Sequence, residues 1–456
     1  MRSYDEYKRL IKFFSSFVII SLEVIVYWCI WVGYYNKIME FPFWRRGNWL
    51  MVALYTTILL FFLKTYGGLK IGYLKKGNVI YSQSLAIVFT NAITYVQIAL
   101  MDKRFSNIDV MLSMTIVEII LVVIWAFLFH WIYQCFFPPR KLLVVYGDHS
   151  IFHIMDKMNA REDKYQISGA IHISKGIQEI MKEADKYEGV VVGDVPAHER
   201  NQLLKVCYEK DMRTYAIPKI SDILVRTSTE LNLFDTPLLL SRNVSLQFEQ
   251  KILKRIVDIL ISVIVLLLTL PIFLIVGIAI KCTDQGAVIY KQERYTLNKK
   301  IFQIYKFRTM SQDAESDGIA RLAQREDERI TKIGKILRAT RLDELPQLIN
   351  ILKGDMSLVG PRPERPEIAE GYEKAMPEFQ FRLKVKAGLT GYAQLYGKYN
   401  TTPYDKLKLD LTYIRNYSIF LDLKLIFMTP KIILMKESTE GVDLGQTTAT
   451  LDNYEQ

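Results

Sequence analysis

Four long apolar segments dominate the first third of the chain and alternate with short polar connections. They cover residues 13–35, 49–63, 84–101 and 110–137. A helix that crosses a bilayer needs about 20 mostly apolar residues, and the first and fourth segments meet that length easily. The first segment is too long and too aromatic for a signal peptide, and no small-residue cleavage site follows it. The pattern predicts a four-helix transmembrane bundle over residues 1–139.

Titratable residues interrupt these apolar segments at Glu23, Glu118 and His130. An acid inside a span can mark a transport path. Four spans with so few internal charges would make a poor path, so we favour the interpretation in which these side chains face a neighbouring helix. Transport stays an alternative.

Basic residues are distributed unequally between the polar connections. Ten Lys and Arg lie at the amino terminus, within residues 64–76 and at residues 140–141, whereas five lie within residues 37–46 and 103–104. Connections rich in Lys and Arg stay in the cytoplasm. We therefore expect the amino terminus and everything after residue 140 to be cytoplasmic.

A different pattern begins at residue 142, where LLVVYG reads as an apolar strand. ISGAIH, GVVVGD and RTYAIP are further short strands with helical segments between them. This alternation predicts a small parallel sheet, and we assign residues 140–245 to a cytoplasmic α/β, Rossmann-like domain. The first turn, Gly147-Asp148-His149-Ser150, lacks the G-x-G-x-x-G pattern that lets a pyrophosphate approach a helix start. A scaffold or regulatory role is therefore favoured over nucleotide binding.

A fifth apolar segment, residues 256–280, is long enough to cross the bilayer but contains Pro271 near its middle. Proline removes one helical hydrogen bond and clashes with the carbonyl of Leu267, and the hydroxyl of Thr269 can help satisfy the freed groups. Cationic residues flank the segment on both sides, and a straight span would carry the basic carboxy-terminal region out of the cytoplasm. We predict a re-entrant membrane helix hairpin over residues 246–285, broken at Pro271.

Charge adds a further constraint on the carboxy-terminal region. The formal net charge is +11, and residues 281–436 hold most of the surplus, with 28 Lys and Arg against 19 Asp and Glu. Such a surplus suits nucleic acid, anionic lipid or phosphorylated substrates. We disfavour nucleic acid, because this basic region adjoins a membrane segment. The four cysteines are scattered without metal-ligand spacing, so neither a disulfide framework nor a zinc site is indicated.

An amphipathic stretch precedes the most polar block of the chain. It carries a cationic stripe beside an apolar one, formed by Lys332, Lys335, Arg338 and Arg341 and by Ile333, Ile336 and Leu337. A helix of this kind suits the headgroup layer of a membrane, and a solvated surface face is the alternative.

The polar block places Asp343 and Glu344 shortly before Pro361-Arg362-Pro363. The two prolines hold Arg362 in a narrow backbone range, which suits bidentate contact with a phosphate. A carboxylate beside fixed cations stays ionised at neutral pH and can attack phosphorus. It can also bind Mg²⁺, which proteins usually hold through one or two carboxylates and substrate phosphates. The block therefore predicts phosphoryl transfer at a membrane surface.

Ordered motifs over residues 251–434 carry a resemblance to a known family. They read KRIVDI (254–259), Thr-Leu-Pro (269–271), IYKFRTM (304–310), ERITKIGKILR (328–338), DELPQLINILKGDMSLVGPRPE (343–364), KAGLTGYAQLYGK (386–398) and LDLTYI (409–414). The region resembles the bacterial sugar transferases, the monotopic phosphoglycosyl transferase superfamily. With four spans and an α/β domain before it, the chain resembles the large subgroup, the undecaprenyl-phosphate hexose-1-phosphate transferases that initiate capsule, O-antigen or exopolysaccharide synthesis.

The resemblance implies a mostly α monotopic catalytic domain over residues 286–456 at the cytoplasmic face of the bacterial inner membrane. A UDP-hexose, by the subgroup UDP-glucose or UDP-galactose, would donate hexose-1-phosphate to undecaprenyl phosphate and release UMP. By similarity, Asp343 is the nucleophile of a covalent phosphosugar intermediate, Glu344 binds or orients Mg²⁺, and Arg362 contacts a phosphate or orders the site. Further positions that match the family pattern are Lys306, Arg308, Arg329, Arg338, Gln394 and Asp410. The bilayer is an implied partner, and a homodimer is left open.

The chain departs from the family pattern in two places. The helix break often reads Ser-Pro where this chain has Leu270-Pro271, and the following basic loop often reads Arg-Pro-Gly where it has Arg294-Tyr295-Thr296. We therefore leave open which hydroxyl caps the break and how the donor is contacted. The alternative function is a membrane-anchored scaffold or regulator of polysaccharide assembly with a degenerate catalytic domain, and the intact acids argue against it.

Overall fold

The computed structural model describes residues 6–147, 151–231, 235–241, 246–284, 286–311, 327, 329–397 and 401–433. The chain divides into two compact units, Met1–Ile217 and Pro218–Gln456. The first unit holds the four amino-terminal apolar segments and a parallel sheet. The second holds the fifth apolar segment and the region with the transferase-like motifs. Three residues of the turn singled out in the sequence, Asp148, His149 and Ser150, lie outside the described residues.

The first unit begins with helices that are mostly long and apolar. They are α1 Lys8–Ile30, α2 Asn36–Ile38, α3 Arg45–Tyr66, α4 Lys76–Asp102 and α5 Ile108–Phe136, with a π-helical turn, Trp31–Tyr35, between α1 and α2. Four of the segments are long and apolar enough to cross a membrane, namely Lys8–Ile38, Arg45–Tyr66, Lys76–Asp102 and Ile108–Phe136. They share one hydrophobic core, in which Tyr27 and Tyr55 stack with their ring centroids 4.0 Å apart.

Glu118 lies fully buried in this core. One of its carboxylate oxygens accepts a hydrogen bond from the Tyr55 hydroxyl at 2.7 Å, and the other accepts one from the Asn91 amide at 2.7 Å. Because Tyr55 lies on α3 and Asn91 on α4, Glu118 faces two neighbouring helices. The interpretation favoured from the sequence is therefore confirmed for this residue.

A four-stranded parallel sheet with the strand order β2-β1-β3-β4 follows the helices. Its strands are β1 Arg140–Tyr146, β2 Tyr165–His172, β3 Val190–Val192 and β4 Thr214–Ala216, and they alternate with α6 Phe152–Asn159, α7 Ile177–Ala184 and α8 Ala197–Glu209. Residues 142–145 of the central strand are all buried, as expected for a parallel strand with both faces covered. The four strands coincide with the four that the sequence predicts.

The boundary between the compact units lies at Ile217, earlier than residue 245, where the sequence placed the end of the α/β domain. The segment after it forms α9 Ile220–Arg226 and the antiparallel strands β5 Thr229–Leu231 and β6 Leu238–Leu240. Ile223 of α9 is buried in the same cluster as Tyr372 and Leu407 of the second unit. This apolar contact explains why α9 belongs with the carboxy-terminal region.

The fifth apolar segment forms one long helix, α10 Phe248–Asp284, which contains Pro271 in its interior. The predicted break therefore does not end the helix, and the segment is one helix with a proline inside rather than two helices. The Thr269 hydroxyl donates to the carbonyl of Val265 at 2.7 Å, not to the group of Leu267 that the proline frees. Such back-bonding to the preceding turn tends to bend helices.

Short helices and strands complete the second unit after α10. They are β7 Ile289–Tyr295, β8 Ile301–Phe307, α11 Lys332–Ala339, α12 Gln347–Lys353, β9 Ser357–Val359, α13 Pro366–Ala375, β10 Gly388–Thr390, α14 Tyr392–Tyr396, α15 Pro403–Arg415 and α16 Ile419–Ile433. Strands β7 and β8 form an antiparallel hairpin, and β9 pairs with β10 in parallel. Backbones meet closely beside β9, because a Cβ on Gly388 would lie 2.0 Å from the amide nitrogen of Gly360.

Candidate active site

The two acids lie in a short 3₁₀ turn, Leu342–Glu344, between α11 and α12. Arg341, which directly precedes this turn, has a left-handed backbone (φ 56°). Asp343 is 8% exposed and Glu344 is 9% exposed, so both carboxylates point into the protein rather than into solvent. Burial of two adjacent acids is costly unless cations or ligands compensate them.

Cations from two other elements compensate Glu344. Its Oε1 accepts hydrogen bonds from Nζ of Lys306 on β8 at 3.1 Å and from Nη2 of Arg362 at 3.0 Å, and Nη1 of Arg341 lies 3.9 Å away. Burial opposes ionisation, but the three cations outweigh it and hold the pKa of Glu344 well below its usual range. Glu344 is therefore the fixed negative charge of the site.

Asp343 differs from its neighbour in both contacts and charge. Its Oδ1 is buried and makes no hydrogen bond with the residues that the structure describes. Burial raises the pKa of Asp343, the ammonium of Lys306 opposes that rise, and the charge of Glu344 adds to it. Two close carboxylates cannot both be strongly acidic, so the pair divides into one tightly ion-paired acid and one less engaged acid.

A hydrogen bond to the backbone of Arg362 holds this residue in addition to its flanking prolines. Its backbone carbonyl accepts a hydrogen bond from Nη2 of Arg382 at 3.0 Å. Arg382 is itself 2% exposed, and its Nε donates to Oδ2 of Asp410 at 2.9 Å. Asp410, which the sequence singled out without a role, therefore supports the segment that presents Arg362.

A second set of buried contacts anchors β9, the strand that leads into Pro361-Arg362-Pro363. Oδ1 of Asp258 accepts hydrogen bonds from the Leu358 amide at 2.9 Å and from the Ser357 hydroxyl at 3.0 Å. Lys254, one turn earlier on α10, donates to Oδ2 of Asp422 on α16 at 2.5 Å. Asp258 of the KRIVDI motif thus joins α10 to the strand beside the site, and Lys254 joins α10 to α16.

Asn350 fixes the strand that carries Lys306. Its side chain is fully buried on α12, where Oδ1 accepts from the Tyr305 amide at 2.9 Å and Nδ2 donates to the Gln303 carbonyl at 2.7 Å. This clamp joins β8 to the helix that follows the two acids. Sequence reasoning missed Asn350, since its partners lie far away along the chain.

The other predicted site residues differ in their surroundings. Arg338 lies near enough to Asp343 for its charge to lower the pKa of that acid, and its Nε donates to the Thr309 hydroxyl at 2.9 Å. Arg308 lines a small cleft at the carboxyl end of α10, and Arg329 forms a bidentate ion pair with Asp327. Oε1 of Gln394 is buried and makes no hydrogen bond within the described part of the chain.

Arg294 is a further, partly buried cation next to Arg362. Its Nη1 donates to the Pro363 carbonyl at 3.2 Å, and its Nε is buried with no hydrogen-bond partner among the described residues. Burial lowers the pKa of Arg294 to about 10, although Glu364 opposes that shift. A guanidinium with an unused donor beside Arg362 is suited to an anionic substrate group. Sequence reasoning gave Arg294 no role of its own.

Magnesium would have two carboxylates available here. No group of three or more His, Cys, Asp or Glu side chains that could hold a metal occurs among the residues that the structure describes. The buried, hydrogen-bond-free Oδ1 of Asp343 and the adjacent Glu344 nevertheless match the one or two carboxylates that Mg²⁺ takes beside substrate phosphates. The residues fit the ion only together with a phosphate-bearing substrate.

Comparisons with known proteins match the same region. The family described as bacterial sugar transferase matches residues 249–436. A UDP-glucose:undecaprenyl-phosphate glucose-1-phosphate transferase of Klebsiella pneumoniae is 39% identical over 229 residues, which cover 49% of this chain and 47% of that protein. A UDP-N-acetylgalactosamine-undecaprenyl-phosphate N-acetylgalactosaminephosphotransferase of Aeromonas hydrophila is 40% identical over 185 residues, which cover 40% of this chain and 44% of that protein.

A shorter relative is covered almost completely. The exopolysaccharide production protein PSS of Rhizobium leguminosarum bv. phaseoli is 40% identical over 199 residues, which cover 42% of this chain and 97% of that protein. The chain therefore spans about half the length of the first two relatives and nearly all of the third.

Proposed function

Because the chain belongs to the bacterial sugar transferase family, we propose that it transfers hexose-1-phosphate from a UDP-hexose to undecaprenyl phosphate and releases UMP. The activities for which the Klebsiella and Aeromonas relatives are named support this reaction class. Those relatives differ in their sugar, so family membership alone does not select one. Glucose or galactose is our proposed hexose.

One observation carries the proposal for the chemistry. A buried carboxylate, Asp343, has an oxygen without a hydrogen bond, and it lies next to Glu344, which is tied to two cations. A nucleophile needs a lone pair that is not engaged in a hydrogen bond, and a diphosphate needs cations around it. Asp343 supplies the first property, and Lys306 and Arg362 supply the second.

The reaction proceeds in two displacements. An oxygen of Asp343 attacks the phosphorus that bears the hexose, and the bond from that phosphorus to the bridging oxygen breaks, so that UMP leaves with the electron pair. A phosphate oxygen of undecaprenyl phosphate then attacks the same phosphorus and displaces the Asp343 carboxylate. The products are UMP and undecaprenyl diphosphate hexose, and the enzyme is regenerated with ping-pong kinetics.

The cations on Glu344 have a role in binding the donor. Lys306 and Arg362 share a single oxygen of that carboxylate, so a diphosphate that enters the site can engage their remaining donors. Glu344 is then the carboxylate that would hold Mg²⁺, while Asp343 keeps its oxygen for the attack on phosphorus. The ion, when bound, would neutralise charge on the diphosphate and on the leaving UMP.

Helix α10 brings this chemistry to the bilayer in our proposal. In its first half, Asp258 accepts a hydrogen bond from the Leu358 amide of β9. In its second half, the ring centroid of Phe273 lies 5.1 Å from that of Phe307 on β8. Both halves therefore pack on the same unit, which supports a helix that bends at Pro271, dips into one leaflet and returns. We propose that this helix is re-entrant and that the catalytic unit faces the cytoplasm at the bacterial inner membrane.

The test is UMP release by the purified full-length protein with Mg²⁺, undecaprenyl phosphate and a panel of UDP-sugars. Asp343→Asn keeps the size of the side chain but removes the charge, and we expect a loss of roughly 10⁴-fold or more. Asp185→Asn, an exposed change in the first unit, is the matched control and should keep full activity. Wild-type protein that releases no UMP with any sugar would favour the scaffold alternative.

A further inference from the structure

A basic cavity lies within the first compact unit, apart from the acids of the candidate active site. Its volume is about 320 Å³, at the lower end of the range for small-molecule sites. Cations from distant parts of the chain converge on it, namely Lys8, Lys12, Arg140, Lys164 and Arg213. Lys8 and Lys12 come from the first turns of α1, and the other three lie where strands of the parallel sheet begin.

The position of this cavity differs from the usual ligand site of an open α/β sheet. Ligands of such sheets bind outside the carboxyl ends of the strands. Arg140, Lys164 and Arg213 instead lie at or directly before the amino ends of β1, β2 and β4. The helices α1 and α5 contribute Lys12 and Tyr133 to the same lining. The site therefore exists only because the apolar helices and the sheet occur in one unit.

The single carboxylate among the described lining residues does not balance this charge. Asp163 is held by Arg161, whose Nε and Nη2 donate to its two oxygens at 2.8 and 2.9 Å. The same guanidinium donates through Nη1 to the Tyr73 carbonyl at 2.6 Å. Asp163 is thus engaged by Arg161, a cation outside the cavity lining.

Two lysines of the cavity lining contact the same aromatic ring. Nζ of Lys12 lies 4.0 Å from the ring centroid of Tyr73, and Nζ of Lys164 lies 4.8 Å from the same centroid. Contact with a ring face offsets part of the repulsion between two ammonium groups, but not all of it. Burial, together with the charge of Arg161, lowers the pKa of Lys164. An anion placed between the lysines would remove this repulsion.

We propose that the cavity binds a phosphate group, carried either by a soluble nucleotide or by the headgroup of a membrane lipid. A phosphate monoester offers three acceptor oxygens and close to two negative charges, which match several converging ammonium and guanidinium donors. Tyr133, Tyr165 and Tyr215 line the same cavity and offer apolar ring surface to the group that the phosphate carries. The inference rests on this first unit and is independent of the transferase reaction.

Lysine footprinting on the wild-type full-length protein tests the proposal without altering the site. The protein is placed in nanodiscs and treated with an amine-acylating reagent, and the labelling rates of Lys12, Lys164 and exposed Lys182 are read by mass spectrometry. One arm adds UMP to phosphatidylcholine nanodiscs. The other arm uses nanodiscs that contain phosphatidic acid and no nucleotide. We expect labelling of Lys12 and Lys164, but not of Lys182, to slow by about tenfold in one arm.

The arm that protects the lysines identifies the source of the phosphate, and protection in either arm supports the proposal. Equal labelling of Lys12 and Lys164 in both arms and in the untreated protein would overturn it. The double variant Lys12→Gln/Lys164→Gln provides a second measurement, since it should weaken binding of the protecting probe by about tenfold or more. Lys182→Gln is its matched control and should leave that affinity unchanged.

Discussion

Two adjacent acids in this chain acquire different properties from their surroundings. Asp343 and Glu344 are neighbours in one 3₁₀ turn and are equally buried, yet Glu344 alone has two cations hydrogen-bonded to its carboxylate. The consequence is a lowered pKa for Glu344 and a raised one for Asp343. A carboxylate with a raised pKa is a stronger base and a better nucleophile once it is ionised, which suits the role that we propose for Asp343.

The pH dependence of transfer follows from the Asp343 carboxyl group. Because its pKa is raised and only the ionised form attacks, activity should be present above that pKa and be lost as the pH falls through it. Lys306→Met removes the ammonium that opposes the rise, so the acidic limb of kcat/KM should move upward by about one pH unit or more. Lys335→Met, an exposed change on α11, should leave the limb in place. If the acidic limb of Lys306→Met stayed at the wild-type pH, the assignment of that limb to Asp343 would be contradicted.

Part of the site could be predicted from short sequence patterns, and part could not. The two acids and Arg362 stand in one polar block, and proline geometry identifies Arg362 from its immediate neighbours alone. Arg382 and Asn350 act through side-chain contacts to residues 20 or more positions away, to the carbonyls of Arg362 and Gln303. Nothing in a local pattern distinguishes such a buried Arg or Asn from an ordinary surface residue.

At the scale of elements, a buried ion pair joins α10 to the rest of its unit. Lys254 on α10 and Asp422 on α16 have side chains only 8% and 3% exposed, and the Tyr413 hydroxyl donates to the second oxygen of Asp422 at 2.8 Å. A buried charge without its partner is strongly unfavourable. The pair therefore holds the membrane helix and the last described helix together as one packed layer.

Removal of one partner should reveal this coupling. Lys254→Met leaves Asp422 buried without its cation and should lower the free energy of unfolding by about 3–5 kcal/mol, whereas Lys254→Met/Asp422→Leu should recover most of the loss. Thermal unfolding of the purified variants measures both. Lys186→Met, which removes one partner of an exposed pair on the first unit, should change the midpoint little. A double variant no more stable than the single one would show that the pair itself stabilises the packing.

Sequence patterns predicted most elements of the fold but not all of their limits. The four strands of the parallel sheet follow from their β-branched runs, which are distinct from the flanking polar residues. The sequence placed helix α9 in the α/β domain, because only its contact partners, such as Tyr372, show where Ile223 is buried. The effect of Pro271 also depended on context, since the helix tolerates this proline in its interior.

At the scale of the whole molecule, our proposal places the carboxyl end of α10 in the cytoplasm. Cys282 lies exposed at that end, and it can be the single target for labelling once Cys29, Cys135 and Cys207 are replaced by Ser. A membrane-impermeant maleimide should label it only after cells are permeabilised. In the same background, with Cys282→Ser added, Phe105→Cys between α4 and α5 should react in intact cells. Labelling of Cys282 in intact cells would mean that α10 crosses the bilayer.

The apolar flank of α10 has a practical consequence for preparing this protein. The second unit exposes an apolar surface of its own, separate from the four amino-terminal helices. The side chains that form it are 64–73% exposed, namely Leu267, Leu268, Leu274 and Ile278. A shortened chain that begins at Pro218 would still require detergent during purification and would aggregate in buffer without detergent. Trimming the amino-terminal helices therefore simplifies crystallisation far less than their hydropathy suggests.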